Sequence, residues 1–338
     1  MNTEVMDTDG SPVYSSSVDL PIGPDEAFAL VTEAERLRRW SSVCATVDLR
    51  AGGSWRWQVS PSHAAGGTIR EVDPGRRVVF GWGWLGDDVL PPDASTVTVT
   101  VEATAAGSRV TLTHEGLPTQ QQVDGHAEGW NHYLERLELL AVKGDAGRDE
   151  WSWSPENLDP VVAGYAALAA IQPMLRRLTP EDQPKPTPCT DMTCHQIAVH
   201  LMQSMIDLGG MAGVSLTIPS AGSLETKVST LADQALSAWR ERGLDGVVAD
   251  PAGHELPAAL GPAIVDVELL LHGWDLAQGS GQTIEVSDEV VGYVAELAGR
   301  LIEGGRGSAF ADELVAGTGA PALDRFAAYS GRRALIPA

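Results

Sequence analysis

The hydrophobic period changes once along this chain, and that change limits what the chain can fold into. From Val13 to Thr113 apolar residues recur mostly at every second position, the period of a strand with one buried face. Strands are predicted over 13–20, 43–50, 54–60, 67–72, 77–84, 96–103 and 109–114, several separated by turn signals such as Ala51-Gly52-Gly53, Asp73-Pro74-Gly75 and Ala106-Gly107. Short helices are predicted within 24–40. A long helix over about 122–143 closes the unit, with Trp130, Leu134, Leu137 and Leu140 or Ala141 on one stripe. One strand-rich sheet wrapped around one long helix is an α+β layout. Residues 144–150 are short, polar and glycine-bearing, and read as a linker.

From Asp159 the period is helical. Asp159-Pro160 is an N-cap followed by proline at the first helical position. Thr193-x-x-Gln196 is a capping box that opens a helix running to Gly209-Gly210. Further helices are expected over 225–242 and 262–277 and after a Ser287 cap. The expectation is three segments: a flexible N-terminus 1–14, an α+β domain 15–147 and an all-helical bundle 151–338.

Composition narrows function by exclusion. The net charge of −23 argues against nucleic acid and anionic membrane surfaces as partners. No apolar run reaches the roughly 18 residues of a membrane span. The first 14 residues lack a basic start and an apolar core, so no signal peptide is expected and the location expected is cytoplasmic. Three cysteines, Cys44, Cys189 and Cys194, give no disulfide framework and no cysteine zinc motif. Cys194 is noted as a reactive-thiol candidate because it lies close in sequence to a candidate ligand.

That candidate belongs to a chemical constellation in the helical half. Glu268 and His272 stand four residues apart in a segment apolar on nearly every side, Val265-Asp266-Val267-Glu268-Leu269-Leu270-Leu271-His272. Positions i and i+4 share a helix face. A buried carboxylate and imidazole need a partner, either each other or a divalent metal. His200 lies in the stripe Ile197, His200, Leu201, Ser204, Met205, Leu208 of the capped helix, and is either a satisfied core histidine or, where that face meets the Glu268 helix, a third donor. Two nitrogens and one carboxylate suit Zn²⁺ best, with Ni²⁺, Fe²⁺ or Co²⁺ as alternatives, and leave open positions. Asp275, three residues past His272, is either an orienting carboxylate behind a ligand or a helix-terminal surface acid.

In the first half Trp55, Trp57, Trp82, Trp84, His114, Glu115, Trp130 and His132 are cavity candidates. Each Trp pair alternates by two and so faces one side of its strand. Core packing is the plainer reading of these tryptophans, and an aromatic-lined pocket the alternative.

Two resemblances follow from these residues. Pro186-Thr187-Pro188-Cys189, Thr193 through His200-Leu201, Glu268-x-x-x-His272-Gly273-Trp274-Asp275-Leu276-Ala277 and the tail Asp324-Arg325-Phe326 to Ser330-Gly331-Arg332 together resemble the DinB-like, mycothiol-dependent maleylpyruvate isomerase N-terminal superfamily over about 159–333. Met192 stands where that family usually has tryptophan. The resemblance implies a four-helix bundle and a divalent metal on His200, Glu268 and His272. It also implies thiol-dependent transfer or isomerisation with a low-molecular-weight thiol such as mycothiol. Residues 15–143, through Gly53-Ser54-Trp55, Val72-Asp73-Pro74-Gly75-Arg76-Arg77-Val78-Val79-Phe80-Gly81-Trp82, Thr111-Leu112-Thr113-His114 and Gly129-Trp130, resemble the SRPBCC superfamily, in its branch named for activators of a heat-shock ATPase. That implies a helix-grip fold with a cavity between sheet and long helix.

The expected function is therefore a metal-dependent thiol transferase or isomerase acting on a small, partly apolar molecule, its individual catalytic residues unassigned. The alternatives are a non-catalytic metal- and ligand-binding protein, or a natural-product cyclase or dehydratase that uses the SRPBCC cavity.

Overall fold

The computed structural model describes residues 5–6, 12–250 and 253–335. It divides into two compact units, Met1–Asp149 and Glu150–Ala338.

The first unit is one antiparallel sheet, in the order β1-β2-β8-β7-β6-β5-β4-β3. Its strands are β1 (Val5–Met6), β2 (Pro12–Leu20), β3 (Cys44–Val47), β4 (Ser54–Gln58), β5 (Ala64–Asp73), β6 (Arg77–Trp82), β7 (Ser95–Thr104) and β8 (Gly107–Glu115). Burial alternates along β7 and β8, so Val97, Val99, Val101, Val110, Leu112 and His114 all face inward. Two short helices, α1 (Pro24–Thr32) and α2 (Ala34–Leu37), separate β2 from β3. The long helix α3 (Gln120–Lys143) packs on β2 and puts Trp130, Tyr133, Leu134, Leu137 and Leu140 into the same core as Trp55, Trp57, Phe80 and Trp82. Thr119 caps α3 by accepting from the Gln122 amide at 3.2 Å, and Gly144 ends it in the left-handed region.

Two expected boundaries need correction. Residues 1–14 do not form one flexible lead-in: Pro12–Tyr14 belong to β2, with Val13 and Tyr14 buried, and Val5–Met6 pair with them, while residues 1–4 and 7–11 lie outside the described residues. The expected linker is also held down. Arg136 of α3 donates to the carbonyls of Trp40, Ala146, Gly147 and Arg148, and His132 meets Asp149 at 2.9 Å. A guanidinium with five donors can satisfy several otherwise unpaired carbonyls of such a segment at once.

The second unit is helical: α4 (Glu150–Trp153), α5 (Pro160–Arg177), α6 (Cys194–Met211), α7 (Leu224–Arg242), α8 (Leu260–Ser280), α9 (Asp288–Gly304) and α10 (Ala322–Tyr329), with a small hairpin of β9 (Val247–Ala249) and β10 (Glu255–Pro257) before α8. The helices α5, α6, α7 and α8 form a ring in which α5 and α6 each pack on both α7 and α8. Their starts are chemically specified. Asp159 accepts from the amides of Val161 and Val162 at 2.7 and 2.8 Å, the Thr193–Gln196 capping box is closed in both directions, and Ser223 and Ser287 cap α7 and α9. Helix α8 is buried on nearly every side, which explains its lack of a polar face. Among the described residues no helix is long and apolar enough to cross a membrane.

Candidate metal centre in the helical unit

Helix α8 places Glu268 and His272 one turn apart, and α6 packs against it to bring His200 to the same point. His200 Nε2 lies 3.3 Å from Glu268 Oε2, and His272 Nε2 lies 3.6 Å from the same oxygen. The two imidazoles meet edge to face, 4.8 Å between centroids at 88°. The three donor atoms fall within 4.8 Å of one another.

His272 is only 7 % exposed, whereas His200 is 44 % exposed. His200 was expected inside a buried stripe and instead stands at its rim. Ile197, Leu201, Met205 and Leu208 take the core-facing positions of α6, and His200, about 100° round the helix from Leu201, is turned toward the edge. The site thus has a closed back and an open front.

Hydrogen bonds fix how His272 is presented. Its Nδ1 lies 3.0 Å from Asp275 Oδ2, and Asp275 is fully buried rather than a surface acid. A carboxylate can only accept, so Nδ1 carries a hydrogen, and Nε2 faces Glu268. Glu268 Oε2 is buried and has no hydrogen-bond partner; His200 is near it but not aligned to donate. His272 Nε2 and Glu268 Oε2 thus stand 3.6 Å apart with no hydrogen bond between them. A cation relieves that arrangement, so the donor set fits a divalent metal.

Burial pushes the Glu268 carboxyl up, but His200, His272 and the Ser204 hydroxyl outweigh it and hold its pKa at about 2. The Glu268 carboxylate in turn raises His200, against the effect of burial.

A second trio, Cys189, His272 and Asp275, also lies within 4.8 Å. There the Arg332 guanidinium already neutralises Asp275, with Nε 3.0 and 3.1 Å from its two oxygens, so that position is a poor cation site. Cys194, the thiol singled out from sequence, is 3 % exposed and burial pushes its pKa up, the opposite of an activated nucleophile. The thiol beside the site is Cys189, also raised by burial.

In the first unit the aromatic candidates do come together. Trp82 stacks on Trp55 at 5.2 Å and meets Trp57, Trp84, His114 and Trp130 at 4.8–5.9 Å between centroids. Trp55, Trp57, Trp82 and Trp130 are core residues; Trp84 lies past the end of β6 and is half-buried. Trp130 Nε1 donates to His114 Nδ1 at 3.1 Å, so His114 Nε2 carries the hydrogen and donates to Ser95 Oγ at 2.8 Å, whose hydroxyl donates to the Trp82 carbonyl. Burial, aided by the charge of His126, holds the pKa of His114 well below the usual histidine value. It is a neutral, fully satisfied core residue. Glu115 is exposed, and His132 pairs with Asp149 away from the cluster.

Sequence reasoning passed over His126. It lies one helical turn before Trp130 on the same stripe of α3, a spacing that pointed inward. Its ring meets His114 at 4.9 Å and Trp84 at 5.8 Å. Its Nδ1 donates to the Gln122 carbonyl, and its Nε2 is buried without a partner, as are the indole nitrogens of Trp57 and Trp82. A recess beside this cluster, counted out to open solvent, holds about 240 Å³ of empty space and is lined by Val31, Thr32, Val47, Trp57, Ile69 and Phe80.

Comparisons with known proteins bear on the two units differently. Two curated relatives, both uncharacterized proteins from strains of Mycobacterium tuberculosis, are 26 % identical over 184 residues, covering 52 % of this chain and 98 % of theirs. An AHSA1-like protein from Rhizobium etli, solved in solution, is 35 % identical over 44 % of this chain and 91 % of its own, with a TM-score of 0.35. CalU16 from Micromonospora echinospora is 23 % identical over 43 % of this chain and 85 % of its own, with a TM-score of 0.33. Residues 22–141 match the family described as activator of Hsp90 ATPase homolog 1-like protein. That span carries α1, α2, β3 to β8 and most of α3, so the N-terminal unit is an AHSA1-like domain of the SRPBCC fold.

Proposed function

We propose that the helical unit holds one divalent cation on His200, Glu268 and His272, zinc by donor type, and that its open front carries out a thiol-dependent transfer or isomerisation on a small, partly apolar molecule. The observation that carries the reading is Glu268 Oε2, buried without a hydrogen-bond partner and faced by both His200 Nε2 and His272 Nε2 within 3.6 Å. The likeness of this half to DinB-like, mycothiol-dependent isomerases supplies the reaction class and the thiol; the exposed edge of His200 supplies the approach. A divalent cation there lowers the pKa of a bound thiol or water, or polarises a carbonyl. The protein's own residues do the rest: Asp275 orients His272, and the buried wall of α8 keeps water from the back of the site.

Elemental analysis of the purified protein tests this. About one equivalent of metal per chain is expected in the wild type, with a marked loss in Glu268→Gln. Equal metal content in the two proteins rejects the site. Removing the metal then separates an enzyme or ligand-binding site from a structural ion: turnover or ligand affinity must fall, not the melting temperature alone.

For the N-terminal unit we infer ligand holding rather than catalysis. His114 is neutral with both nitrogens engaged, so it has no free base to offer, while Trp57 Nε1, Trp82 Nε1 and His126 Nε2 are buried and unpartnered. Little space is enclosed at the recess, so the ligand is small or the aromatic side chains move to admit it. Quenching of tryptophan fluorescence by 2-naphthol, weakened roughly tenfold in Trp57→Phe by loss of one hydrogen bond from the Nε1 of this recess-lining side chain, is the expected result. No quenching in the folded wild type would count against it.

A further inference from the structure

The buried carboxylate behind His272 is itself held by a residue from the far end of the chain. Arg332 lies 57 positions beyond Asp275, is 9 % exposed, and directs Nε at both Asp275 oxygens, 3.1 and 3.0 Å away. Its Nη1 donates to Ser330 Oγ at 3.0 Å. The chain is shaped to bring it there. Helix α10 ends in a Schellman motif: the Arg332 amide donates to the Ala327 carbonyl and the Gly331 amide to that of Ala328, with Gly331 left-handed at φ +87°. A Cβ at position 331 would also strike Ala311 at 2.7 Å, so glycine is needed twice over. The same tail is tied to α8 on either side of Arg332. Trp274 Nε1 donates to Asp324 at 2.7 Å, and the Leu335 amide donates to Gln278 at 2.8 Å.

We propose that Arg332 is a positioning residue of the metal centre, acting through Asp275 on the ring of His272, so that the C-terminal tail is part of the site. The inference rests on the metal reading above. Asp275 is fully buried, and a buried carboxylate without a counter-charge is costly. Arg332 removes that cost and leaves Asp275 Oδ2 to accept from His272 Nδ1, and that hydrogen bond keeps Nε2 turned toward Glu268. Without the guanidinium, the buried Asp275 carboxyl loses its counter-charge, and the imidazole loses the support that sets its tilt. The local sequence around α8 does not specify this; the tail does.

The test is a Co²⁺ titration of the full chain followed by visible absorption, with the metal-free melting temperature measured alongside. Wild type is expected to bind Co²⁺ with ligand-field bands. Arg332→Ala is expected to bind it roughly 10- to 100-fold more weakly, with shifted bands, and Arg332→Lys to recover part of the affinity. Asp275→Asn serves as a second variant that keeps the side-chain volume, and should weaken binding in the same direction. If Arg332→Ala and Asp275→Asn bind Co²⁺ with wild-type affinity and spectrum, the positioning role is overturned. An affinity loss with unchanged bands, matched by lost stability of the metal-free protein, also overturns it. Failure of the wild type to bind Co²⁺ at all rejects the metal reading itself, a distinguishable result.

Discussion

Asp266 shows how one side chain can oppose its own fold. It sits on α8 two residues before Glu268, is fully buried, and neither carboxyl oxygen has a hydrogen-bond partner. Its carboxyl lies against the backbone of Gly164 in α5, where even a Cβ would come within 2.8 Å of Oδ1. Burial, reinforced by the charge of Asp159, pushes its pKa well above the usual carboxylate value, so the folded protein keeps it protonated. The unfolded chain releases that proton near pH 3.8. The folded state therefore binds the extra proton above that point, and its stability falls as pH rises, by about 1.4 kcal/mol per pH unit for one proton, until the folded pKa is passed. Asp266→Asn removes the titration. It is expected to be more stable than wild type at pH 7 to 8, by a margin that narrows toward pH 4. Denaturant melts across that range measure the difference, and a margin independent of pH would refute the assignment.

At the scale of elements, contacts are set by backbones that come close. Gly261 in the first turn of α8 lies against the indole of Trp239 on α7, a residue with no exposed surface. A Cβ there would fall 2.0 Å from Trp239 Cζ2, and a rigid, fully packed ring has nowhere to go. Gly261→Ala is expected to destabilise the helical unit by about 1–3 kcal/mol, read from the shift in denaturant midpoint. Helix α3 depends on its ends instead. Thr119→Ala removes the acceptor for the Gln122 amide, at a cost of about 1 kcal/mol. In both cases the element was readable from sequence and its neighbour was not. The capping box at Thr193 and the cap at Asp159 start their helices where the residue types say they should, because capping is a local hydrogen-bond problem. Helix α8 runs beyond the expected 262–277 at both ends, since a buried helix has no polar face to mark its limits.

For the whole molecule, the division into two units separates the two kinds of chemistry. The candidate metal ligands are all in Glu150–Ala338, and the aromatic cluster is all in Met1–Asp149. Calorimetry of the full chain is expected to show two transitions, with added Zn²⁺ raising only one of them. Binding to the folded state alone stabilises by about 2.7 kcal/mol at a hundredfold excess over Kd. Uniform movement of both transitions, or of neither, would contradict this division.

Apart from β1, β9, β10, α4 and α10, none of them expected, the residues alone determined the period of each half, the approximate strand and helix positions, the caps at Asp159, Thr193 and Ser287, and the placing of Glu268 and His272 on one helix face. All of these depend on neighbours within a few positions in the chain. Only the tertiary structure decided which distant groups meet. The packing of α6 on α8 brought His200 to the pair and left it at the rim rather than in the core. The turn at Gly331 sent Arg332 back across 57 residues to Asp275. The grip of the sheet on α3 put His126 among the tryptophans. Hydrophobic period reports which face is buried and carries no information on what it is buried against; that is fixed by close packing of whole elements, where backbone approach and unpaired polar groups select the partner.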